Sequence, residues 1–404
     1  MSISTPGTVS RIACVAIAMI LSALTARAEN DDRFAHGAAA LKANATSGKS
    51  SRTRNVHCEM GRKLSHAIKW ANPGDTLRIS GTCMESVEIA TDRLTLLGVS
   101  GAAIDGGKWP SEAVVLIDGA RRVSLIGLDV RNGSDQGVLA TRGAQVRLQR
   151  VRMHANTTVG LSVDRSHVEI HDVAMDNNGT GGMDAYSAST VVASGSISAV
   201  GNSGDGLAAN GKTFFELRGA EVVANDNAGS GVSIINDSRL QIFSFPEAQG
   251  SSITANGNGF AGIGVLGAEV GVVGSEFFGS GANVLSASNN LFGFFMPAGA
   301  ILSPHATARF VASGNAIGML MEDGASALII GGLDLAQNGT GLSAIGAGTL
   351  TLVSVPPNPA SISGNQQDVD LGFGTRATID DVAHTSIACD ATVLLRGSAT
   401  CPGT

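Results

Sequence analysis

A repeated unit of asparagine, three variable residues, glycine and an apolar residue constrains this chain more than any other feature. The glycine recurs in steps of 22 to 31 residues, at Gly137, Gly160, Gly182, Gly206, Gly231, Gly262, Gly293, Gly318 and Gly341. An asparagine stands three or four residues before eight of them, at Asn156, Asn178, Asn202, Asn227, Asn258, Asn289, Asn315 and Asn338. A fixed period of this length indicates one unit stacked many times rather than several globular domains.

The unit is predicted to be a coil of short β-strands. Leucine-rich repeats share the period, but the dense leucine framework that they need is missing here. Segments such as 166–175 (SHVEIHDVAM) alternate apolar and polar residues as strands do. We expect the glycines to supply positive φ at turns and the asparagines to stack in an internal ladder. The prediction is an all-β chain, a single right-handed parallel β-helix over residues 56–404.

The two ends of the coil stack are predicted to be capped. Residues 29–55 are polar and aperiodic and read as a flexible leader. Leu64, Ala67, Ile68 and Ala71 share one face at helical spacing, which predicts a capping helix at about 61–72. A C-terminal cap is expected at about 366–404.

Four cysteines remain after the first 28 residues, one pair near each end of the solenoid. Three pairings are possible, and the local one would pin each end of the solenoid. Their spacing matches no zinc pattern, so no metal site is predicted. The expected disulfides join Cys58 to Cys83 and Cys389 to Cys401.

The first 28 residues have the pattern of a secretory signal peptide. Arg11 precedes an apolar run at 12–24, and Ala26-Arg27-Ala28 fits a cleavage site. We therefore expect cleavage after Ala28 and a periplasmic or secreted product. No later apolar run is long enough to span a membrane. The net charge of −7 and the lack of a basic cluster argue against nucleic acid as a partner.

Residues 56–404 resemble the pectin-lyase-like right-handed β-helix proteins that bacteria export. The resemblance is carried by CEMGRKLSHAIKWANPGDTLRISGTC, by the repeated asparagine–glycine coils and by the tail DVDLGFGTRATIDDVAHTSIACD. It implies this fold and a function on polysaccharides, as lyase, epimerase or glycoside hydrolase. The Asn-Thr-Asp and Arg-Ile-Lys motifs of polygalacturonases are absent. Ser303-Pro304-His305-Ala306 lacks both carboxylates of the epimerase motif. No catalytic residue is carried over, so whether the chain is an enzyme stays open.

Strand alternation nevertheless places polar residues together on the outside of the coils. If the residue after each repeat glycine points inward, the second and fourth residues after it point outward. This gathers candidate catalytic residues, Asp164, Asp184 and Tyr186, beside candidate substrate-binding residues, Arg142, Ser162, Arg165 and Asn210. Two carboxylates suit inverting glycoside hydrolysis, and a tyrosine beside a cation suits β-elimination or epimerisation of a uronate. The alternative interpretation is an ordinary solvated polar face.

Two functions follow as expectations. The first is an exported protein that binds, and in the enzymatic case cleaves or epimerises, an extended uronate-type polysaccharide on its parallel-sheet face. The second is a non-catalytic structural or protein-interaction protein of the cell envelope, with a partner docking at the apolar stretch from Leu291 to Pro297. No cofactor is expected, and a calcium requirement is left open.

Overall fold

The computed structural model describes residues 51–107, 110–243, 250–273, 284–304, 308–346, 348–355, 359–384 and 386–402. The expected signal peptide at 1–28 lies outside the described residues, as does most of the leader expected at 29–55. The first strand begins at Thr53 and pairs with the strand that starts at Thr76. The ordered coil therefore starts inside the segment that the polar composition had assigned to the leader.

The described residues form a parallel β-helix of three-sided coils. Every strand pair is parallel, and each strand pairs with its equivalent one coil earlier and one coil later. One side of the coils is a separate 13-stranded sheet, and the other two sides join in a 25-stranded sheet. The two sides join because three long strands, His167–Asp176, Thr190–Ser198 and Phe214–Val223, run through both.

The 13-stranded sheet consists of β4 (Val87–Ile89), β7 (Ala113–Asp118), β10 (Gln136–Thr141), β13 (Val159–Asp164), β15 (Gly181–Tyr186), β17 (Leu207–Ala209), β19 (Val232–Ile235), β22 (Ala261–Leu266), β25 (Phe292–Met296), β28 (Ile317–Glu322), β31 (Thr340–Ile345), β34 (Gln367–Gly372) and β37 (Ile387–Cys389).

The first side of the 25-stranded sheet consists of β1 (Thr53–His57), β2 (Thr76–Ser80), β5 (Thr95–Gly98), β8 (Val123–Ile126), β11 (Gln145–Gln149), β14 (His167–Asp176), β16 (Thr190–Ser198), β18 (Phe214–Val223), β20 (Arg239–Phe243), β23 (Glu269–Val273), β26 (Ile301–Pro304), β29 (Ser326–Ile330), β32 (Thr349–Val353), β35 (Arg376–Asp380) and β38 (Leu394–Gly397). Its second side adds β3 (Thr82–Met84), β6 (Ala103–Asp105), β9 (Asp129–Arg131), β12 (Arg152–His154), β21 (Ser252–Thr254), β24 (Val284–Ser288), β27 (Arg309–Ser313), β30 (Leu333–Ala336), β33 (Ser361–Ile362) and β36 (Ala383–His384).

The core is a continuous column of apolar side chains inside the coils. The residue after each repeat glycine is buried, as predicted, at Val138, Leu161, Met183, Leu207, Val232, Ile263, Phe294, Met319 and Leu342. Because side chains alternate along a strand, this inward position sets which residues face outward on the same strand. It therefore fixes the register of the 13-stranded sheet's outer surface.

The asparagine ladder exists, with one member corrected. The side-chain Nδ2 of each asparagine donates to Oδ1 of the asparagine one coil further on, at 2.9–3.2 Å. The member on the 290s coil is Asn290, whereas the predicted Asn289 lies at φ +57° in the turn. The spacing to the glycine is three there, as at Asn315. The ladder also continues to Asn365, whose Nδ2 donates to the buried Asp368 at 3.1 Å.

The repeat glycines are needed for space rather than for positive φ, which corrects the expectation from the sequence. None of the nine has a φ in the left-handed region. A Cβ at Gly206 would lie 2.5 Å from the carbonyl oxygen of Gly231 and 2.8 Å from the ladder amide of Asn227. Left-handed conformations fall instead on turn residues such as Arg142 and Arg165. The glycine thus lets each coil approach the ladder of the next one.

Both ends of the coil stack carry the expected disulfides. Cys58 is bonded to Cys83 and Cys389 to Cys401, so the local pairing is confirmed. Near the first pair, α1 (Leu64–Lys69) buries Leu64 and Ile68 against the core. Its first backbone N–H groups donate to Glu85, which satisfies donors that a helix start leaves unpaired. At the other end, β37 and β38 pair in parallel with β34 and β35, so the strand stacking continues into the region expected as a C-terminal cap.

Candidate functional site

The outer surface of the 13-stranded sheet, called here the open face, holds the candidate site. Its strands present two outward columns, at the second and fourth positions after the repeat glycine. Ser162 pairs with Asp184 and Asp164 pairs with Tyr186 across β13 and β15. Residues paired in parallel register lie on the same side of a sheet, so these four side chains share the open face.

Asp164 is held by its neighbours rather than free. Its Oδ2 accepts hydrogen bonds from Arg165 Nη2 at 2.8 Å and from Thr141 Oγ1 at 3.2 Å. Asp164 is only 9% exposed. The coil before it repeats the arrangement, because Arg142 Nη1 donates to Asp118 at 2.7 Å. Both arginines expected to bind substrate therefore already have a carboxylate partner on their own protein.

Asp184, unlike Asp164, is a carboxylate of the open face that has no arginine partner. It is partly buried, and its side chain accepts no hydrogen bond from the described residues. Burial raises the pKa of the Asp184 carboxyl, and the negative charge of Asp205 raises it further. A carboxyl whose pKa is raised by burial is better suited to donate a proton near neutral pH. Of the three predicted catalytic residues, Asp184 has the environment of a general acid.

Asp205 is the residue that sequence reasoning missed. It lies on the coil after Asp184, where its carbonyl accepts the Gly182 N–H at 3.2 Å. The Ser230 N–H donates to its Oδ1 at 2.7 Å, which fixes the position of this carboxylate. It directly precedes a repeat glycine, a position outside the two columns that alternation singled out. Asp184 and Asp205 therefore form a second candidate carboxylate pair, on neighbouring coils, in addition to the predicted pair of Asp164 and Asp184, and the charge of Asp205 acts on Asp184.

The remaining candidate residues border this pair. Tyr186 is partly buried, and Asn210 accepts a hydrogen bond from Asn236 Nδ2 at 2.8 Å on the next coil. Ser162 is only 2% exposed, so little of its surface is open to a ligand. The structure thus brings Asp184, Tyr186 and Asn210 to one partly open area and closes Ser162 beneath its neighbours.

Beyond Asp184, the same column continues over small residues to an aromatic cluster. The register runs from Asp184 through Ala208, Ser233 and Gly264 to Phe295. Four steps between coils correspond to about 19 Å, at about 4.8 Å per strand. Because these side chains are short, they project little from the sheet, and an extended molecule has room to lie along this stretch.

Three phenylalanines, Phe260, Phe292 and Phe295, form this aromatic cluster. Phe260 packs edge-on against the other two rings, with ring centroids 5.4 Å and 5.0 Å apart, and Phe292 stacks on Phe295 at 5.0 Å. Phe260 is 39% exposed and stands in the turn before β22, which no strand pattern singles out. Within the predicted partner stretch, Phe294 and Met296 are buried in the core, and Leu291, Phe292 and Phe295 face outward.

The described residues contain no group of three or more His, Cys, Asp or Glu side chains that could hold a metal ion. Within the same residues, no helix has the length and apolar character needed to cross a membrane.

A family model described as "Right handed beta helix region" matches residues 113–272. Together with the parallel strand register, this identifies the fold as a right-handed parallel β-helix. No curated protein sequence matches the chain significantly.

Several solved structures are similar. Pectate lyase Pel9A is 14% identical with a TM-score of 0.47, over 73% of this chain and 81% of that chain. An alginate lyase from Paenibacillus sp. str. FPU-7 is 13% identical with a TM-score of 0.45, over 70% and 99%. The A-module of the mannuronan C-5 epimerase AlgE6 from Azotobacter vinelandii is 15% identical with a TM-score of 0.44, over 83% and 93%.

Proposed function

We propose that this protein is exported and binds an extended polysaccharide along the open face, where Asp184 and Asp205 hydrolyse it. The observation that carries the proposal is the combination on one face of a free, partly buried carboxylate and an exposed aromatic cluster. They are joined by a low track about 19 Å long. A long open track fits a linear polymer better than a small molecule, which favours a closed pocket.

The carboxylate pair supplies the chemistry of glycoside hydrolysis. Protonated Asp184 gives its proton to the glycosidic oxygen as the bond from that oxygen to the anomeric carbon breaks. The Asp205 side chain acts as general base and takes a proton from the water molecule that attacks the anomeric carbon, and solvent then restores both groups. The aromatic cluster binds a sugar unit further along the chain, since aromatic rings contribute large apolar contact areas. Tyr186 and Asn210 border the pair and can hydrogen-bond sugar hydroxyl groups.

Export is supported by the signal-peptide pattern and by the two disulfides, which form in oxidising compartments. N-terminal sequencing of the product from a bacterial host tests it. A mature chain starting at residue 29 is expected, and an intact Met1 in the exported protein would contradict it.

The function is tested by incubating the full chain with a panel of linear polysaccharides and measuring both gel retardation and new reducing ends. Retardation together with reducing ends is the expected result. Asp184→Asn should lower the rate by about 10²- to 10⁴-fold while retardation persists. Asp323→Asn is the matched control, because Asp323 is an exposed turn residue beside the same sheet, far from the pair.

Two other results would redirect the interpretation. Retardation without reducing ends in any condition would leave a polysaccharide-binding protein without this hydrolytic activity. No retardation with any polymer would contradict the proposal and favour protein docking, for which the exposed Leu266 and Leu291 beside the aromatic cluster are the supporting observation.

A further inference from the structure

Positive charges are segregated away from the open face. The thirteen strands of its sheet contain no lysine, arginine or histidine. They contain seven acidic residues: Glu88, Asp118, Asp164, Asp184, Glu322, Asp368 and Asp370. The strands of the 25-stranded sheet carry the cations instead, among them Arg147, Arg218, Arg239, Arg309 and Arg376. The same coil thus presents a cation-free side and a cation-bearing side.

The cations that border the open face do not offset this charge. Arg142 and Arg165 extend from the turns after β10 and β13, but each is paired with a carboxylate of the same sheet, Asp118 and Asp164. Lys212 is an exposed cation in the turn after β17. It follows β17, whereas Asp205 precedes that strand, and neither Asp184 nor Asp205 has an ion-pair partner among the described residues.

The aromatic cluster also favours an uncharged sugar. Phe260, Phe292 and Phe295 offer ring surface without a hydrogen-bonding group. The apolar side chains of Leu266 and Ile235 lie beside them in the adjacent column. Binding of a sugar ring here is favoured by contact between its apolar C–H groups and the phenylalanine rings. Binding is disfavoured when the sugar carries a carboxylate, because that charge has to leave water.

We infer that the polysaccharide of this protein is neutral rather than a polyuronate. The inference rests on the proposed function and names its substrate class. It departs from the uronate-type polymer expected from the sequence, because the arginines assigned to a uronate carboxylate are already neutralised. A polyuronate laid along this face would bring its row of carboxylates against Glu88, Asp184, Glu322 and Asp370, which have no arginine partner among the described residues, with no strand cation to balance them.

A bridging divalent cation is the one route by which a polyuronate would fit such a face. That route needs several oxygen ligands converging on one ion. In the described residues no three acidic, histidine or cysteine side chains converge in this way. The acidic residues are spread along the coils, so they repel a polyanion without forming a shared cation site.

Matched pairs of polymers test the inference. Polygalacturonate and alginate are each compared with their carboxyl-reduced forms, which keep the linkages and remove the charge. A panel of neutral glucans, mannans and galactans is measured alongside. Affinities are measured by gel retardation with the full chain at about 0.01 M and about 0.1 M salt, where the screening length falls from about 30 Å to about 10 Å. Each condition is repeated with calcium and with a chelator.

At low salt, the carboxyl-reduced form of at least one pair should bind at least about tenfold more tightly than the charged form. This difference in affinity should be smaller at high salt. The double variant Glu322→Gln, Asp370→Asn removes two charges of the open face away from the carboxylate pair and should reduce this difference. The control Glu221→Gln, Asp381→Asn removes an exposed acid of β18 and an exposed acid of the turn between β35 and β36, both away from the open face, and should leave this difference in affinity unchanged.

Tighter or equal binding of the charged form, with or without calcium, would overturn the inference while leaving the proposed function standing. Binding of a neutral polymer from the panel alone would support both. Binding of no polymer at all would overturn the proposed function itself.

Discussion

At the residue scale, the environment of each carboxylate decides its role. Asp164 and Asp184 lie one coil apart on the same face, yet only Asp164 has an arginine partner. The repeat spacing predicted that Asp164 and Tyr186 would face each other, because register follows from the period. It could not predict which arginine side chain folds back onto which carboxylate. Asp205 was not predicted as a site residue, because it occupies a turn position, where strand alternation does not apply.

Asp184 makes the stability of the protein depend on pH. Burial raises its pKa above the value in the unfolded chain, so ionising Asp184 disfavours the folded state. Its destabilising effect is absent below about pH 3, where both states are protonated, and grows as pH rises through the folded-state pKa. Asp184→Asn removes this dependence. The variant should therefore gain stability relative to the parent between pH 3 and pH 7, so that its free energy of unfolding minus that of the parent is larger at pH 7. Urea unfolding at the two pH values measures this, and a difference that stays constant or reverses would contradict it.

The ladder asparagines are predicted to act on stability alone. Asn202 is 2% exposed and bonds to Asn227 and to the carbonyl oxygen of Met175. Asn202→Ala should cost about 1–3 kcal/mol, because it leaves buried groups without partners. Gln145→Ala, which removes an exposed side-chain amide from β11, is the control and should change stability by about 0.5 kcal/mol or less. Equal unfolding midpoints for the two variants would show that the ladder amides are dispensable.

At the element scale, the repeat spacing predicted the strands of the 13-stranded sheet correctly. The predicted role of the repeat glycine, a positive φ, was wrong. The inward apolar residue and the outward columns follow from counting along each coil. The need for glycine does not follow from such counting. It depends on the distance between consecutive coils, which a single chain segment does not reveal. The sequence could not decide between Asn289 and Asn290, because the ladder asparagine stands four residues before the glycine in some coils and three before it in others. The structure shows that Asn290 is the ladder member.

Two glycines with opposite surroundings test this explanation. A Cβ at Gly318 would lie 2.6 Å from the carbonyl oxygen of Gly341 and 2.8 Å from Asn338 Nδ2, so Gly318→Ala forces neighbouring coils apart. The expected loss is about 1–3 kcal/mol. Gly271 in β23 has no atom within 4 Å of such a Cβ and has no positive φ. Gly271→Ala should be neutral or stabilising by up to about 1 kcal/mol. Similar losses from both substitutions, measured by urea unfolding, would rule out crowding as the reason for the glycine row.

At the scale of the whole molecule, stacking turns local repeats into long continuous surfaces. Each surface inherits the chemistry of one position in the repeat, so a side whose strands have no cations and a side whose strands carry them arise from the same coil. The sequence predicted the solenoid, its disulfides and the sheet that bears the site. It did not predict the aromatic cluster, because Phe260 reaches Phe292 and Phe295 from a turn whose path depends on the longer neighbouring coils.

The central claim is that an extended polymer lies along the open face from Asp184 to the aromatic cluster. The most direct test is the affinity of a series of oligosaccharides of increasing length, cut from the polymer that binds best. Affinity should rise with each added sugar until the oligosaccharide spans about 19 Å and then level off. Phe260→Ala should remove the gain at the longer lengths only, and Phe373→Ala, at an exposed phenylalanine elsewhere, should leave the series unchanged. Full affinity for a mono- or disaccharide, with no gain from added length, would contradict the account.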